Sequence, residues 1–473
     1  MSGRSSPAGG AGRLSRRRFL QSAAAVSVVT GRADARPGPN LILILTDDQR
    51  YDALGAAGNR LIHTPNLDKL AARGVRFTQA CVTTSVCSAS RAACLTGRYG
   101  SANGVPGLGG GLNPGETCFS SVLSSRGYYT GYVGKWHLKH LATPAAAGFE
   151  VETYFFANGP HYDRKVVERG KTKIAGGFLE DYLADQSIGF LQEAARRSRP
   201  FFLHLSTQLP HMDHEFKWNA SARTRALYEG SPVRAPASWQ DDLRGKPEYL
   251  KSCRNRLQAL RYGYDRRSAI ERHIREYYAS VTELDRCLGR VLDATVELGL
   301  AETTYILLTG DNGWFLGEHG FTSKVLPYEE SIRVPFLLAG PGIEPGVNHE
   351  LVLNIDIAPT FLEAAGAPIP AGMHGRSLLP LVRGEQPGWR RSILYEALAP
   401  TLGSHPLVAV RTREWKYIQT LDMDERSEVV FEELYDLRGD PGEMANLAGK
   451  PEYRARRREL REELARLRAS LAA

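Results

Sequence analysis

The sequence predicts an α/β protein: a large mixed, mostly parallel sheet flanked by helices, with a smaller C-terminal domain of antiparallel sheet plus helix. Three observations predict it. Leu41-Ile42-Leu43-Ile44-Leu45 is an unbroken run of branched apolar residues, the pattern of a strand buried on both faces. Similar runs recur at 128–133, 200–205 and 304–309, with helical stretches between them, and each is followed by a polar cluster. Beyond Pro370 the pattern changes to short alternating strands and a closing amphipathic helix.

Taken in order, residues 1–35 read as a twin-arginine signal peptide. Arg16-Arg17-Arg18-Phe19-Leu20 precedes an apolar stretch from Ala23 to Val29, and Ala33-Asp34-Ala35 follows as a cleavage site. This predicts a periplasmic or secreted protein, exported already folded. No run of about 20 apolar residues follows, so no membrane span is expected in the mature form. A catalytic domain is expected over 36–385 and a C-terminal α+β subdomain over 386–473. Charged residues make up 24% of the 473-residue chain and the net charge is +8, which suits an anionic substrate without forming a nucleic-acid signature. The six cysteines show no C-x-x-C spacing, which argues against a structural zinc site and leaves any disulfide pairing open.

After the first strand, Pro65 sits near the start of a helix that ends near Gly74. The stretch Thr84 to Arg98 then places Cys87 where a loop of small residues turns into a helix, with Arg91 four residues on and on the same face. The free amides and positive dipole end of that helix would suit a nucleophile and an oxyanion together; a structural cysteine at a small-residue helix start is the alternative. A glycine-rich loop spans 104–115, a helix is expected over 117–125, and a second buried strand ends at Gly134-Lys135-Trp136-His137. Residues 150–180 read as irregular, 182–197 as helix, and the third strand ends near Pro210-His211. An Arg-, Pro- and Trp-rich insertion covers 212–262, and a long amphipathic helix covers 270–298. The fourth strand ends at Gly310-Asp311-Asn312-Gly313, and a short one spans 334–339. Strands are expected over 392–396, 407–411 and 415–419, with a helix over 452–471 packing on its own domain through Leu460, Leu464, Leu467 and Leu471.

The strand ends decide between the two readings of Cys87. In open α/β sheets ligands bind at the carboxyl ends of the strands. Asp47, Asp48, Asp311 and Asn312 offer only oxygens, the ligand set of Ca²⁺ or Mg²⁺. Arg91, Lys135 and Lys324 bring positive charge for an oxyanion, and His137 and His211 can move protons. His63, His204, His214 and His273 are expected to be structural, and His319 is an undecided neighbour of the site.

At this point the chain resembles a type I, formylglycine-dependent sulfatase of the alkaline-phosphatase superfamily. Cys87-Ser88-Ala89-Ser90-Arg91 matches the pattern C-x-P/A-x-R, and Leu95-Thr96-Gly97-Arg98-Tyr99 matches its extension. Similar too are Thr46-Asp47-Asp48-Gln49, Gly134-Lys135-Trp136-His137, Pro210-His211, the run from Gly310 through Lys324 to Pro335, and Glu433-Leu434-Tyr435-Asp436-Leu437 with Asp440-Pro441. The resemblance implies an alkaline-phosphatase-like fold and hydrolysis of sulfate esters, most readily those of a sulfated carbohydrate. It implies that a formylglycine-generating, sulfatase-maturating enzyme oxidises Cys87 to formylglycine. On the same resemblance, one hydroxyl of the hydrate, coordinated to Ca²⁺ (or Mg²⁺) held by Asp47, Asp48, residue 87, Asp311 and Asn312, would attack sulfur. The alcohol would leave with a proton from His211, with Lys324 nearby. His137 would then deprotonate the second hydroxyl and sulfate would be expelled as the aldehyde reforms, while Arg91 and Lys135 would hold the formylglycine and the sulfate.

Departures from the family's habit are Ala89 for proline, Lys139 for glycine and Met212-Asp213 after His211. Relatives with the same nucleophile and metal hydrolyse phosphonate monoesters or phosphodiesters, an alternative these motifs do not separate. A non-catalytic glycan binder would lack part of the set.

Overall fold

The computed structural model describes residues 38–139, 141–385, 388–400 and 403–471. The leader expected over 1–35 lies outside the described residues.

The strands of the main sheet and its small hairpin, in chain order, are β1 Asn40–Asp47, β2 Val75–Cys81, β3 Tyr129–Lys135, β4 Val151–Phe155, β5 Tyr162–Glu168, β6 Lys171–Phe178, β7 Phe201–Pro210, β8 Thr304–Gly310, β9 Phe315–Leu316, β10 Thr322–Ser323, β11 Phe336–Ala339 and β12 Gly346–Leu353. Ten of them form one sheet in the order β12-β2-β11-β8-β1-β7-β3-β4-β5-β6, and β9 pairs with β10 in a separate antiparallel hairpin. The centre, β8-β1-β7-β3-β4, is parallel throughout, so its carboxyl ends lie along one edge. β11 is antiparallel to both its neighbours and β5 to both of its own, which makes the sheet mixed.

The alternation of side chains along β1 shows why its sequence is apolar without interruption. Leu41, Leu43 and Leu45 enter the core on one face, and Ile42 and Ile44 enter the core on the other. All five are fully buried, which stabilises the fold by roughly 1.5–3 kcal/mol apiece relative to exposure. The first face is covered by the helices Cys87–Thr96, Phe119–Ser125 and Ile357–Ala364. The second is covered by Pro65–Ala72, Leu179–Ala195 and Arg267–Glu297. The last runs for 31 residues and presents Leu284, Leu288 and Val291 to the sheet.

The C-terminal strands are β13 Ser392–Ala397, β14 Leu407–Thr412, β15 Trp415–Leu421 and β16 Val429–Asp436, antiparallel in that order. The helix Arg454–Ala469 packs through Leu460 and Leu464 as the apolar stripe implies. Buried ion pairs tie this sheet to the rest. Arg411 of β14 and Lys416 of β15 both meet Glu329, and Lys416 also meets Glu443, 2.7 Å away. No helix is long and apolar enough to cross a membrane among the described residues.

The structure differs from the sequence reading in two places and gives form to the insertion. Residues 150–180 are not irregular: they form β4, β5 and β6, and β5 and β6 carry so many charged and glycine residues on exposed positions that the strand alternation is hidden. β2 and β12 escaped notice for the same reason, since polar residues occupy their interiors. The insertion at 212–262 is mainly loop, with the two-turn helix Arg254–Arg261 near its end.

Candidate active site

The cluster forms where β1, β3, β7 and β8 end. β1 delivers Asp47 as its last residue, and Asp48 follows in a left-handed conformation with φ 62°. β8 delivers Asp311 and Asn312 beyond Gly310, and the Asp311 amide donates to Thr46 O at 2.8 Å, so the two acidic ends stay in register. β3 ends at Lys135 next to Gly134, whose φ is 117° and where a Cβ would stand 1.7 Å from Ser206 O. Glycine there lets β3 lie against β7 while turning Lys135 into the site. His137 follows with φ 55°. Such conformations cost roughly 1–3 kcal/mol each for residues with a side chain, and Asp48 and His137, two residues the sequence marks as functional, are among those that adopt them.

Cys87 is the first residue of the helix Cys87–Thr96, and its Sγ lies 3.6 Å from Asp47 Oδ1. Arg91, one turn on, donates from Nε to Asp311 Oδ2 at 3.0 Å and from Nη1 to Lys135 O at 2.9 Å. Its second terminal nitrogen lies 2.8 Å from Asp311 and 3.6 Å from Asp47. Lys135 Nζ pairs with Asp47. Lys324, from the loop after β10, reaches Asp48 and lies 2.7 Å from Cys87 Sγ. His211 Nε2 lies 3.4 Å from Asp48 Oδ2. Its Nδ1 is 2.6 Å from Met212 O, a contact that requires Nδ1 to carry a proton and leaves Nε2 of the neutral ring as an acceptor. The structure thus gathers Asp47, Asp48, Cys87, Arg91, Lys135, His211, Asp311, Asn312 and Lys324 into one buried cluster. His137 joins through charge: its Nδ1 is buried without a partner, and Lys135 and Arg91 are among the cations that bear on it.

A family model described as Sulfatase matches residues 39–367. The chain belongs to the sulfatase family. A second model, N-sulphoglucosamine sulphohydrolase, C-terminal, matches residues 317–470. Across 89% of this sulfatase and 85% of the relative, it is 29% identical to an N-acetylglucosamine-6-O-sulfatase of Bacteroides thetaiotaomicron. It is 32% identical to human arylsulfatase A over 90% of this chain and 86% of that one. The solved structure of BT4656 in complex with its substrate D-glucosamine-2-N,6-O-disulfate superposes with a TM-score of 0.83 at 26% identity, covering 92% of this chain and 98% of that one. The protein is a sulfuric ester hydrolase with the alkaline-phosphatase-like fold.

The sulfatase's cluster fits a divalent cation. One ligand atom each from Asp47, Asp48, Cys87 and Asp311 lies within 4.8 Å of the others, all buried. Asp48 Oδ2 and Asn312 Oδ1 are buried oxygens without a hydrogen-bond partner, a costly arrangement that a cation would satisfy. Electrostatics agree. Burial pushes the carboxyls of Asp48 and Asp311 up to about 6, with Asp47 adding repulsion, even though Lys324 acts on both and Arg91 on Asp311 in the opposite sense. For Asp47 burial acts in that direction too, but Lys135, His211 and Arg91 hold it well below the usual range. Burial pushes the Cys87 thiol up to about 12 despite Lys135 and Lys324, so the unmodified side chain is a thiol and a poor nucleophile. Burial draws His211 down to about 4.

Sequence reasoning missed Asn158. It lies on the exposed loop between β4 and β5, yet its amide donates to His211 Nε2 at 2.7 Å and its carbonyl accepts from Lys135. Its neighbours are fixed: Arg164 holds Ala157 O, and Gln208 Nε2 donates to Gly159 O at 2.7 Å. A lone Asn in a segment read as irregular gives no local signal. Ser206 of β7, bonded to Arg91 and Lys135 O, was missed as well; it stands in mid-strand opposite Gly134 of β3, where a lone serine gives no local signal. Trp314 stands with its ring 5.8 Å from that of His211 and 5.7 Å from Lys324 Nζ. His319, undecided from sequence, pairs through Nδ1 with Asp241 Oδ2 at 2.7 Å and packs on Tyr328. All six cysteines are buried and unpaired with one another.

Proposed function

We propose that this sulfatase removes sulfate from a sulfated carbohydrate, with Cys87 converted to formylglycine by a sulfatase-maturating enzyme and Ca²⁺ held by Asp47, Asp48, Asp311, Asn312 and residue 87. The observation that carries the reading is the position of Cys87 Sγ, 3.6 Å from Asp47 and 2.7 Å from Lys324 inside a buried cluster of carboxyl groups and cations. That sulfur stands where the formylglycine oxygens would lie. The carbohydrate preference is supported by the N-acetylglucosamine-6-O-sulfatase relative and by BT4656, captured with a sulfated glucosamine. In the bound state the cation would neutralise the developing charge on sulfate oxygens, and the modified residue would supply a hydrated aldehyde whose two hydroxyls serve attack and release.

The chain's own residues divide the remaining work. Arg91 fixes the carboxylates and shares with Lys135 the positive field that holds the sulfate. Lys324, beside residue 87 and Asp48, stabilises charge as the ester bond breaks. His211 presents Nε2 at the edge of the cluster, and the anionic ester beside it favours the imidazolium, which delivers a proton to the departing sugar oxygen. His137, a base held neutral by burial and nearby cations, takes the proton that must leave residue 87 when sulfate is released. The leader and its twin-arginine pattern support export to the periplasm, with a catalytic domain over 36–385 and the C-terminal subdomain over 386–473. The test is sulfate release from a panel of sulfated monosaccharides, including N-acetylglucosamine 6-sulfate, with a phosphodiester and a phosphonate monoester alongside. Faster turnover of the phosphorus esters than of every sulfated sugar would replace this reading.

A further inference from the structure

The segment that carries Lys324 is held in an unfavourable shape. Ser323 has φ 70° and Val325 φ 84°, and a β-branched residue adopts such a backbone only where its surroundings impose it. Two side chains from distant parts of the sequence impose it. The amide of Asn255, on the helix Arg254–Arg261, donates to Thr322 O and to Lys324 O, both at 2.8 Å. The hydroxyl of Tyr395, on β13, donates to Val325 O at 2.6 Å.

Tyr395 does more than hold one carbonyl. A phenol has a single proton, and here it is given to Val325. The Ser85 hydroxyl, 2.7 Å from the phenolic oxygen, must therefore donate to it, and the Ser85 amide donates to it as well at 3.3 Å. Ser331 Oγ, 2.8 Å from Ser85 Oγ, then donates onward into the chain. Burial pushes the phenol up to about 12, so the donor stays protonated. One oxygen thus joins the loop two residues before Cys87 to the carbonyl next to Lys324.

We propose that Tyr395 is a positioning residue for sulfate-ester hydrolysis: its hydroxyl locks the Cys87 loop and the Lys324 segment together, so the antiparallel C-terminal sheet supplies part of the active site's geometry. This rests on the sulfatase reading and on the role given there to Lys324. The experiment compares full-length wild type, Tyr395→Phe, Lys324→Ala and the double variant, with each rate normalised to the fraction of Cys87 converted, measured by mass spectrometry. On a sulfated sugar that wild type turns over, Tyr395→Phe is expected to lower kcat about tenfold and to move KM by less than about twofold. In the Lys324→Ala background the same change is expected to lower kcat no further, because the group it positions is gone. An unchanged kcat in Tyr395→Phe, or an equal loss in both backgrounds, overturns the proposal; the second result makes the hydroxyl a tie of the fold alone. If Tyr395→Phe does not fold, Ser85→Ala cuts the same link from its other end and is judged by the same two criteria. A converted wild type that cleaves no sulfate ester sinks the sulfatase reading itself, and the proposal with it.

Discussion

Lys324 Nζ lies 2.7 Å from Cys87 Sγ, although 237 positions separate the two residues. On the proposed reading, a lysine so placed would serve residue 87 in its converted form, when oxygens replace sulfur. Replacing Lys324 by alanine removes the cation shared by position 87 and Asp48, and kcat on a sulfate ester is expected to fall by about 10²–10³-fold. Lys324→Arg is expected to restore little, since a planar guanidinium does not fit a site built for a point charge. Steady-state rates normalised to the converted fraction check both.

The role of His211 can be read from leaving groups. A nitrophenolate departs without help, whereas a sugar alkoxide needs a proton. His211→Ala is expected to cut turnover of a sulfated sugar roughly 10²–10⁴-fold and of nitrophenyl sulfate far less. Equal losses on the two substrates would remove the proton-donor assignment.

Cation binding should be linked to pH. Without a cation, burial raises the carboxyls of Asp48 and Asp311 to about 6 from the ordinary aspartate value of 3.8. A raised carboxyl favours the folded state while protonated, and that contribution is lost as pH climbs from about 4 through 6. Bound Ca²⁺ would replace the lost protons. The rise in melting temperature on adding Ca²⁺ is therefore expected to be small near pH 4, to grow through pH 6 and to level off above it. A Ca²⁺ effect of the same size at pH 4 and pH 7.5 would count against cation binding at these carboxylates. Removing the metal with a chelator is expected to abolish activity at pH 7.5.

Lys416 is fully buried between Glu329 and Glu443. Lys416→Met keeps the length and removes the charge, leaving Glu443 without its ion pair. A loss of about 3–5 kcal/mol in unfolding free energy is expected in urea titrations. Glu443→Gln in the same chain should recover part of it, because the charge left uncompensated is then gone as well.

Much of this site could be read in advance because a parallel sheet does the gathering. Once the runs at 41–45, 128–133, 200–205 and 304–309 are recognised as neighbouring strands, the polar residues that follow them must share an edge, and Asp47, Lys135, His211 and Asp311 do so. Arg91 and Cys87 were legible because one helical turn joins them. Asn158, Asn255 and Tyr395 were not. Each acts through two or three hydrogen bonds that exist only after loops and a second sheet have docked, and no periodicity reports such a contact. The strands β5 and β6 were hidden for a related reason: an exposed edge of a sheet carries too few buried positions to imprint a pattern.

On the proposed reading of Cys87, the burial of position 87 would also set an order of events in the life of the molecule. Only 3% of the residue's surface is open in the finished fold. A catalyst that oxidises this side chain must therefore meet it on a nascent or partly assembled polypeptide, before the helix beginning at Cys87 seats against the sheet. Conversion and folding would then compete in time, and a chain that folded first would keep its thiol.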